Sequence, residues 1–169
     1  MITLDELAHD EQICEEYKKT LLLTMFKKIC FHMQSDAVYR MKIVNLYKQS
    51  PKWDITVQSL VEREFSCKLS VDEARLMSGW LIANFRKKPN RKSLSLELKK
   101  ELYRNQGGRC KACGEPLGDN MSKIHIDHII PWILVGDELE DNYQDLCEAC
   151  NECKNSRVDY LLLKKLKIN

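Results

Sequence analysis

Two Cys-x-x-Cys pairs, Cys110-Lys-Ala-Cys113 and Cys147-Glu-Ala-Cys150, constrain this chain more than any other feature. Two residues between cysteines let both thiolates reach one ion, while the intervening amides can bond to the sulfurs. Four thiolates in a tetrahedron satisfy zinc and leave no open position, so the expected ion is structural. Such an ion contributes on the order of 10 kcal/mol to the folding of a small module. Gly114-Glu-Pro116 suits the sharp turn that follows the first pair. An iron–sulfur cluster and redox disulfides are the competing readings. Cys150-Asn-Glu-Cys153 has the same spacing, so the register of the second knuckle stays open. A last helix opening near Cys150 would leave Cys153 as a spare helical thiol.

The rest of the chain bears on where such an ion would be held. Of its 169 residues, 44% are hydrophobic, enough for a core and too many for a disordered chain. No apolar stretch reaches the roughly 18 residues of a membrane span. MITLDELAHDEQ has neither the basic start nor the apolar run of a secretory signal. A cytoplasmic protein without a membrane partner is expected, and a reducing compartment favours metal over disulfides. The isolated Cys14, Cys30 and Cys67 read as buried core thiols.

Net charge is only +2, but its distribution is uneven. Arg86 to Lys111 holds ten Lys or Arg against two Glu, whereas the first 16 residues hold acids and no Lys or Arg. A basic middle beside an acidic end implies a polyanion-binding surface, or else a solvated helix face with a linker.

The first half reads as helical. Thr3-Leu-Asp-Glu6 has the form of a capping box. Ile13, Tyr17, Leu21, Met25, Ile29 and Cys30 then recur at helical spacing to about Met33. Val38, Met41, Val44 and Tyr47 predict a second helix that ends at Ser50-Pro51, and Val57 to Phe65 a short third. Ser70-Val-Asp-Glu73 is a second capping box, opening a helix with Ala74, Met77, Trp80, Leu81 and Phe85. The last two helices could form a helix-turn-helix that reads a major groove, or could simply pack. Arg86-Lys-Lys-Pro-Asn-Arg-Lys92 is the expected boundary. Beyond it, Leu94, Leu98 and Leu102 predict a helix stopped by Gly107-Gly108. β-like runs at 123–126 and 143–146 and a final helix from about Asn151 to Leu166 complete the pattern. The reading is α+β: a helical region over 1–92 and a metal-stapled module over 93–169.

Between the cysteine pairs lies His125-Ile-Asp-His128-Ile-Ile-Pro131. Two imidazoles and a carboxylate within four residues can bind a metal or activate water. Asp127 and His128 are adjacent, and an ideal strand would turn them to opposite faces. Both serve one site only where the strand twists or ends.

With Asn142, Leu146-Cys147 and Asn151-x-x-Lys154 following in order, residues 93–157 resemble the HNH endonuclease family, the ββα-metal nucleases. The resemblance implies that His128 is the general base, available as neutral imidazole because an unperturbed one titrates near ~6.5. It implies Asp127 and Asn151 as ligands of a catalytic divalent ion, Mg²⁺ or Mn²⁺ being suited to hard oxygen donors. Asn142 resembles the residue that holds the loop carrying His128. His125, Lys154 and Arg109 are candidates for a phosphate or metal contact. Asn151 stands where the family often has His, which makes the ligand set weaker in charge. The implied activity is metal-dependent hydrolysis of phosphodiester bonds in nucleic acid, expected to be double-stranded DNA, in a bacterial or phage restriction or defence setting. An RNA-cutting effector and a zinc-dependent DNA-binding module that needs a partner are the alternatives. The N-terminal helices are left for DNA recognition, homodimer formation or docking to a protein partner.

Overall fold

The computed structural model describes residues 10–86, 91–121 and 124–167, which divide into two compact units. The Thr3–Glu6 capping box and residues 87–90 of the expected boundary lie outside the described residues.

The helical unit takes in the described residues of Leu21–Pro89 together with Ile133–Leu139. It contains most of α1 (Glu11–Ser35), then α2 (Ala37–Gln49), α3 (Trp53–Phe65) and α4 (Val71–Phe85). Asp36 opens α2 by accepting from the amides of Val38 and Tyr39, and Ser50 closes it before Pro51. The expected capping box at α4 is present, with Ser70 Oγ accepting from the Glu73 amide and the Glu73 carboxylate accepting from the Ser70 amide. The buried seam of α1 runs through Leu22, Phe26, Ile29 and Met33, whereas Tyr17 and Leu21 face solvent. In α2 the buried residue is Ile43, and Val38 and Met41 are exposed. Met25, Ile29 and Cys30 of α1 are buried as expected, and the α2 stripe is rotated by about one residue, to which a three-and-four spacing is tolerant. Val57, Leu60 and Val61 of α3 and Ala74, Met77 and Leu81 of α4 are buried. Ser66 joins the two helices in the left-handed region, at φ 52°, where no glycine is available. Phe26 meets Trp80 edge-on at 5.5 Å. Residues 133–139 add Leu134 and Val135 to this core, and the buried Asn84 amide donates to the Leu134 carbonyl at 2.8 Å.

The second unit comprises the described residues of Met1–Thr20, Asn90–Trp132 and Glu140–Asn169. Ser95 caps α5 (Leu96–Asn105) by accepting from the Leu98 amide at 3.2 Å. Gly107 and Gly108 end it, both at φ 64°, and a Cβ on Gly108 would come within 2.8 Å of the Tyr103 hydroxyl. Strand β1 (His125–His128) leads to a single helical turn, α6 (Trp132–Val135), and returns as β2 (Tyr143–Leu146). The strands are antiparallel and pair His125 with Leu146, Asp127 with Gln144 and His128 with Tyr143. The first strand therefore lies two residues beyond the expected 123–126, because this pairing register fixes it; Lys123 lies outside the described residues. Helix α5 packs on β2, and α7 (Glu148–Lys154) packs on β1.

The expected helix over 151–166 is two helices. Asn155, at φ 44°, ends α7, and α8 (Tyr160–Lys165) starts afresh. With ψ at −121°, Asn155 lies outside the left-handed helical well, so the helix cannot continue through it. The break turns Tyr160 into a core with Cys110, Leu146 and Cys150. Among the described residues no helix is long and apolar enough to cross a membrane.

One buried group in this unit works against stability. Asp145 on β2 is 0% exposed, and among the described residues neither carboxylate oxygen has a hydrogen-bond partner. Burial pushes its pKa up to about 6. A folded pKa above the unfolded one means a penalty that is full above about pH 6 and vanishes below the unfolded value. Asp145→Asn is therefore expected to stabilise the chain by about 2 kcal/mol at pH 7.5. That gain should shrink steadily towards pH 5 in denaturant unfolding followed across pH.

Candidate active site and zinc centre

The ligand atoms of Cys110, Cys113, Cys147 and Cys150 all lie within 4.8 Å of one another. The Cys113 and Cys147 sulfurs are 3.9 Å apart. Tetrahedral zinc with bonds near ~2.3 Å separates its sulfurs by about 3.8 Å, so the donor set and its spacing fit zinc. Cys153 is exposed and outside this group, so the second knuckle joins the cluster through Cys147 and Cys150. The first knuckle turns at Gly114, φ 76°, whose amide donates to the Cys110 carbonyl at 2.9 Å. Arg109 braces that turn, its guanidinium donating to the Gly114 carbonyl at 2.9 Å.

The thiols are not equivalent. Burial opposes ionisation of Cys110, but the amides of Cys113, Cys147 and Ala112 and the Cys113 thiol outweigh it, bringing its pKa down to about 7. Burial pushes Cys150 up to about 12. One sulfur is thus readied as thiolate, and a metal must displace protons to engage Cys113 and Cys150, whose thiols burial pushes up, so its affinity weakens as pH falls.

The sheet carries the second centre. His125, Asp127, His128 and Asn151 line one cavity of about 390 Å³. His128 is the last residue of β1, where the strand gives way to a bend, and there it shares the cavity with its neighbour Asp127. Its ring lies 4.8 Å from that of Tyr143, its cross-strand partner. Asn151 reaches the cavity from the middle of α7. Asn142 is buried below the bend, where its Oδ1 accepts from the Ile130 amide at 2.7 Å and its Nδ2 donates to the Ile130 carbonyl at 2.9 Å. The Asn142 carbonyl also accepts from the Ile129 amide. The two residues after His128 are thereby held in place.

Lys154 is not on the surface. Its side chain is 3% exposed, and its ammonium lies 2.7 Å from Asp127 Oδ2 and donates to the His128 carbonyl at 2.9 Å. Gln144 donates to the same Asp127 oxygen at 3.3 Å. Among the described residues, Asp127 Oδ1 and the Asn151 side chain have no hydrogen bond. Those two oxygen donors, opening on one cavity, fit a hard divalent cation.

Residues 110–157 match the family model described as HNH endonuclease. This part of the chain is an HNH domain. No curated protein and no solved structure matches the chain. The match runs from the first zinc cysteine past Lys154, and so takes in both centres of the HNH domain. Sequence reasoning missed several residues of its cavity: Arg91, Lys92, Lys99 and Tyr143 in the lining, and Gln144 on Asp127. The cations belong to the basic stretch already visible in the sequence. Gln144 was findable only through the strand register, since directly opposed residues meet across a ladder.

The two cysteine readings differ in outcome. Cys113→Ser is expected to lose zinc and the fold of the HNH domain, whereas Cys153→Ser keeps one zinc per chain. Metal analysis alongside far-ultraviolet circular dichroism checks both; zinc lost from Cys153→Ser would overturn the register.

Proposed function

We propose that this chain is a nuclease that hydrolyses phosphodiester bonds in DNA at the cavity on β1. The observation that carries the reading is the convergence of Asp127, His128 and Asn151 on one cavity that is also lined by Arg91, Lys92 and Lys99. Three cations beside a base and two oxygen ligands suit a polyanion that must be both held and cut.

In this reading the lining cations hold the backbone phosphates, a contact that carries no sequence information. The His128 imidazole takes a proton from a water that attacks phosphorus, while the P–O3′ bond breaks and O3′ takes a proton from solvent, leaving a 5′-phosphate and a 3′-hydroxyl. The imidazole keeps its aim because Lys154 fixes the carbonyl of the same residue and Asn142 fixes the bend that follows. Asp127 and Asn151 would hold a Mg²⁺ or Mn²⁺ ion, which when bound supplies Lewis-acid stabilisation of charge at the scissile phosphate. The four cysteines would hold zinc in a structural role. A single centre of this kind cuts one strand per visit, so nicked circles are the first product expected from a supercoiled plasmid.

The purified chain is expected to nick such a plasmid with Mg²⁺ or Mn²⁺, not with EDTA. His128→Ala should slow cutting by about 100-fold or more. Equal cutting by that variant would remove His128 from its role. RNA cut in preference to duplex DNA would move the substrate class.

A further inference from the structure

The charge balance of the cavity points beyond cleavage itself, to how its cation is taken up; the argument rests on the nuclease reading above. Among the described lining residues Asp127 is the one acid, and Arg91, Lys92 and Lys99 line the same cavity. That one negative charge is already met by the Lys154 ammonium at 2.7 Å. The ammonium cannot swing aside cheaply: it is 3% exposed and also anchored on the His128 carbonyl. A divalent cation would therefore find one neutralised carboxylate, through Oδ1, and one neutral amide from Asn151. The other charged side chains of the described lining, Arg91, Lys92 and Lys99, are all cationic. Hard divalent cations need oxygen donors that bring negative charge, and this set brings no net charge of its own. A phosphodiester supplies what is missing, since each backbone phosphate carries one negative charge.

We propose that the cavity takes up its divalent cation together with a nucleic-acid phosphate rather than ahead of it, with Lys154 as the positioning residue that sets this order. Lys154 turns Oδ2 of Asp127 inwards, leaves Oδ1 for the ion, and lowers the affinity of the free protein for that ion. By linkage, the ion strengthens nucleic-acid binding by the same factor that nucleic acid strengthens ion binding. An idle enzyme then carries little catalytic metal and is completed only on its substrate.

The test uses the zinc-loaded full chain carrying His128→Ala, so that nucleic acid survives. Free Mn²⁺ is followed by electron paramagnetic resonance during titration, with and without a short duplex DNA. Binding about tenfold tighter or more in the presence of DNA is expected. Equal affinity in both titrations overturns the proposal while DNA retention leaves the nuclease reading standing. A second arm needs no nucleic acid and so separates the two failures. Lys154→Met, checked for zinc content, should bind Mn²⁺ about tenfold more tightly than its parent in the absence of DNA, because a neighbouring positive charge is gone. Unchanged or weaker binding there overturns the proposal, even if DNA fails to bind and the nuclease reading falls with it. A merely structural Lys154 would not tighten metal binding.

Discussion

Four sulfurs within reach of one ion are the constraint on which the C-terminal unit depends. Its sheet is two strands of four residues each, and helices α7 and α8 have seven and six. A two-stranded ladder of that size is marginal in water, and units this small rely on staples. The core around the cysteines is correspondingly small, with Leu146 and Tyr160 as its large apolar members.

The staple also aims the chemistry. β2 runs directly into Cys147, and α7 starts at the next residue, so fixing Cys147 and Cys150 fixes both the end of the strand and the rotation of the helix. Cys150 and Lys154, four residues apart on one face of α7, are both buried. Asn151, one residue round the helix, opens on the cavity. The face of α7 that carries Cys150 thus brings Lys154 onto Asp127 and His128 of β1, and the adjacent position brings Asn151 to the cavity. At the other end of β1, Asn142 ties Ile129 and Ile130 and sets where the strand stops. Asp127 and His128 are both paired within β1, His128 as its last residue, and both line the cavity.

Much of this was legible in the residues and some was not. Cysteine spacing, the Ser70 capping box and the double glycine after α5 are local signals, and each corresponds to a feature of the fold. The family resemblance on residues 93–157 agrees with the family match on 110–157. What escaped were matters of rotation, register and burial. The apolar stripe of α2 lies about one residue round from its expected position, since several registers satisfy the same spacing, and the α1 stripe leaves Tyr17 and Leu21 exposed while burying Met25, Ile29 and Cys30. The start of β1 depends on pairing with β2, which is non-local. The break at Asn155 was invisible because Asn is unremarkable in a helical pattern until its φ is known. Lys154 read as a phosphate contact because lysine is ordinarily exposed; only the packing of α7 on β1 reveals a buried cation bonded to Asp127.

In the proposed function one cavity on β1 both holds nucleic acid and gathers the catalytic ion between Asp127 and Asn151. Anomalous diffraction from crystals of the His128→Ala chain with duplex DNA and Mn²⁺ tests it most directly. The account requires a zinc peak among the four cysteines and a manganese peak between Asp127 Oδ1 and the Asn151 side chain, with a backbone phosphate beside it. A manganese peak elsewhere, or DNA lying on another face of the HNH domain, would contradict it.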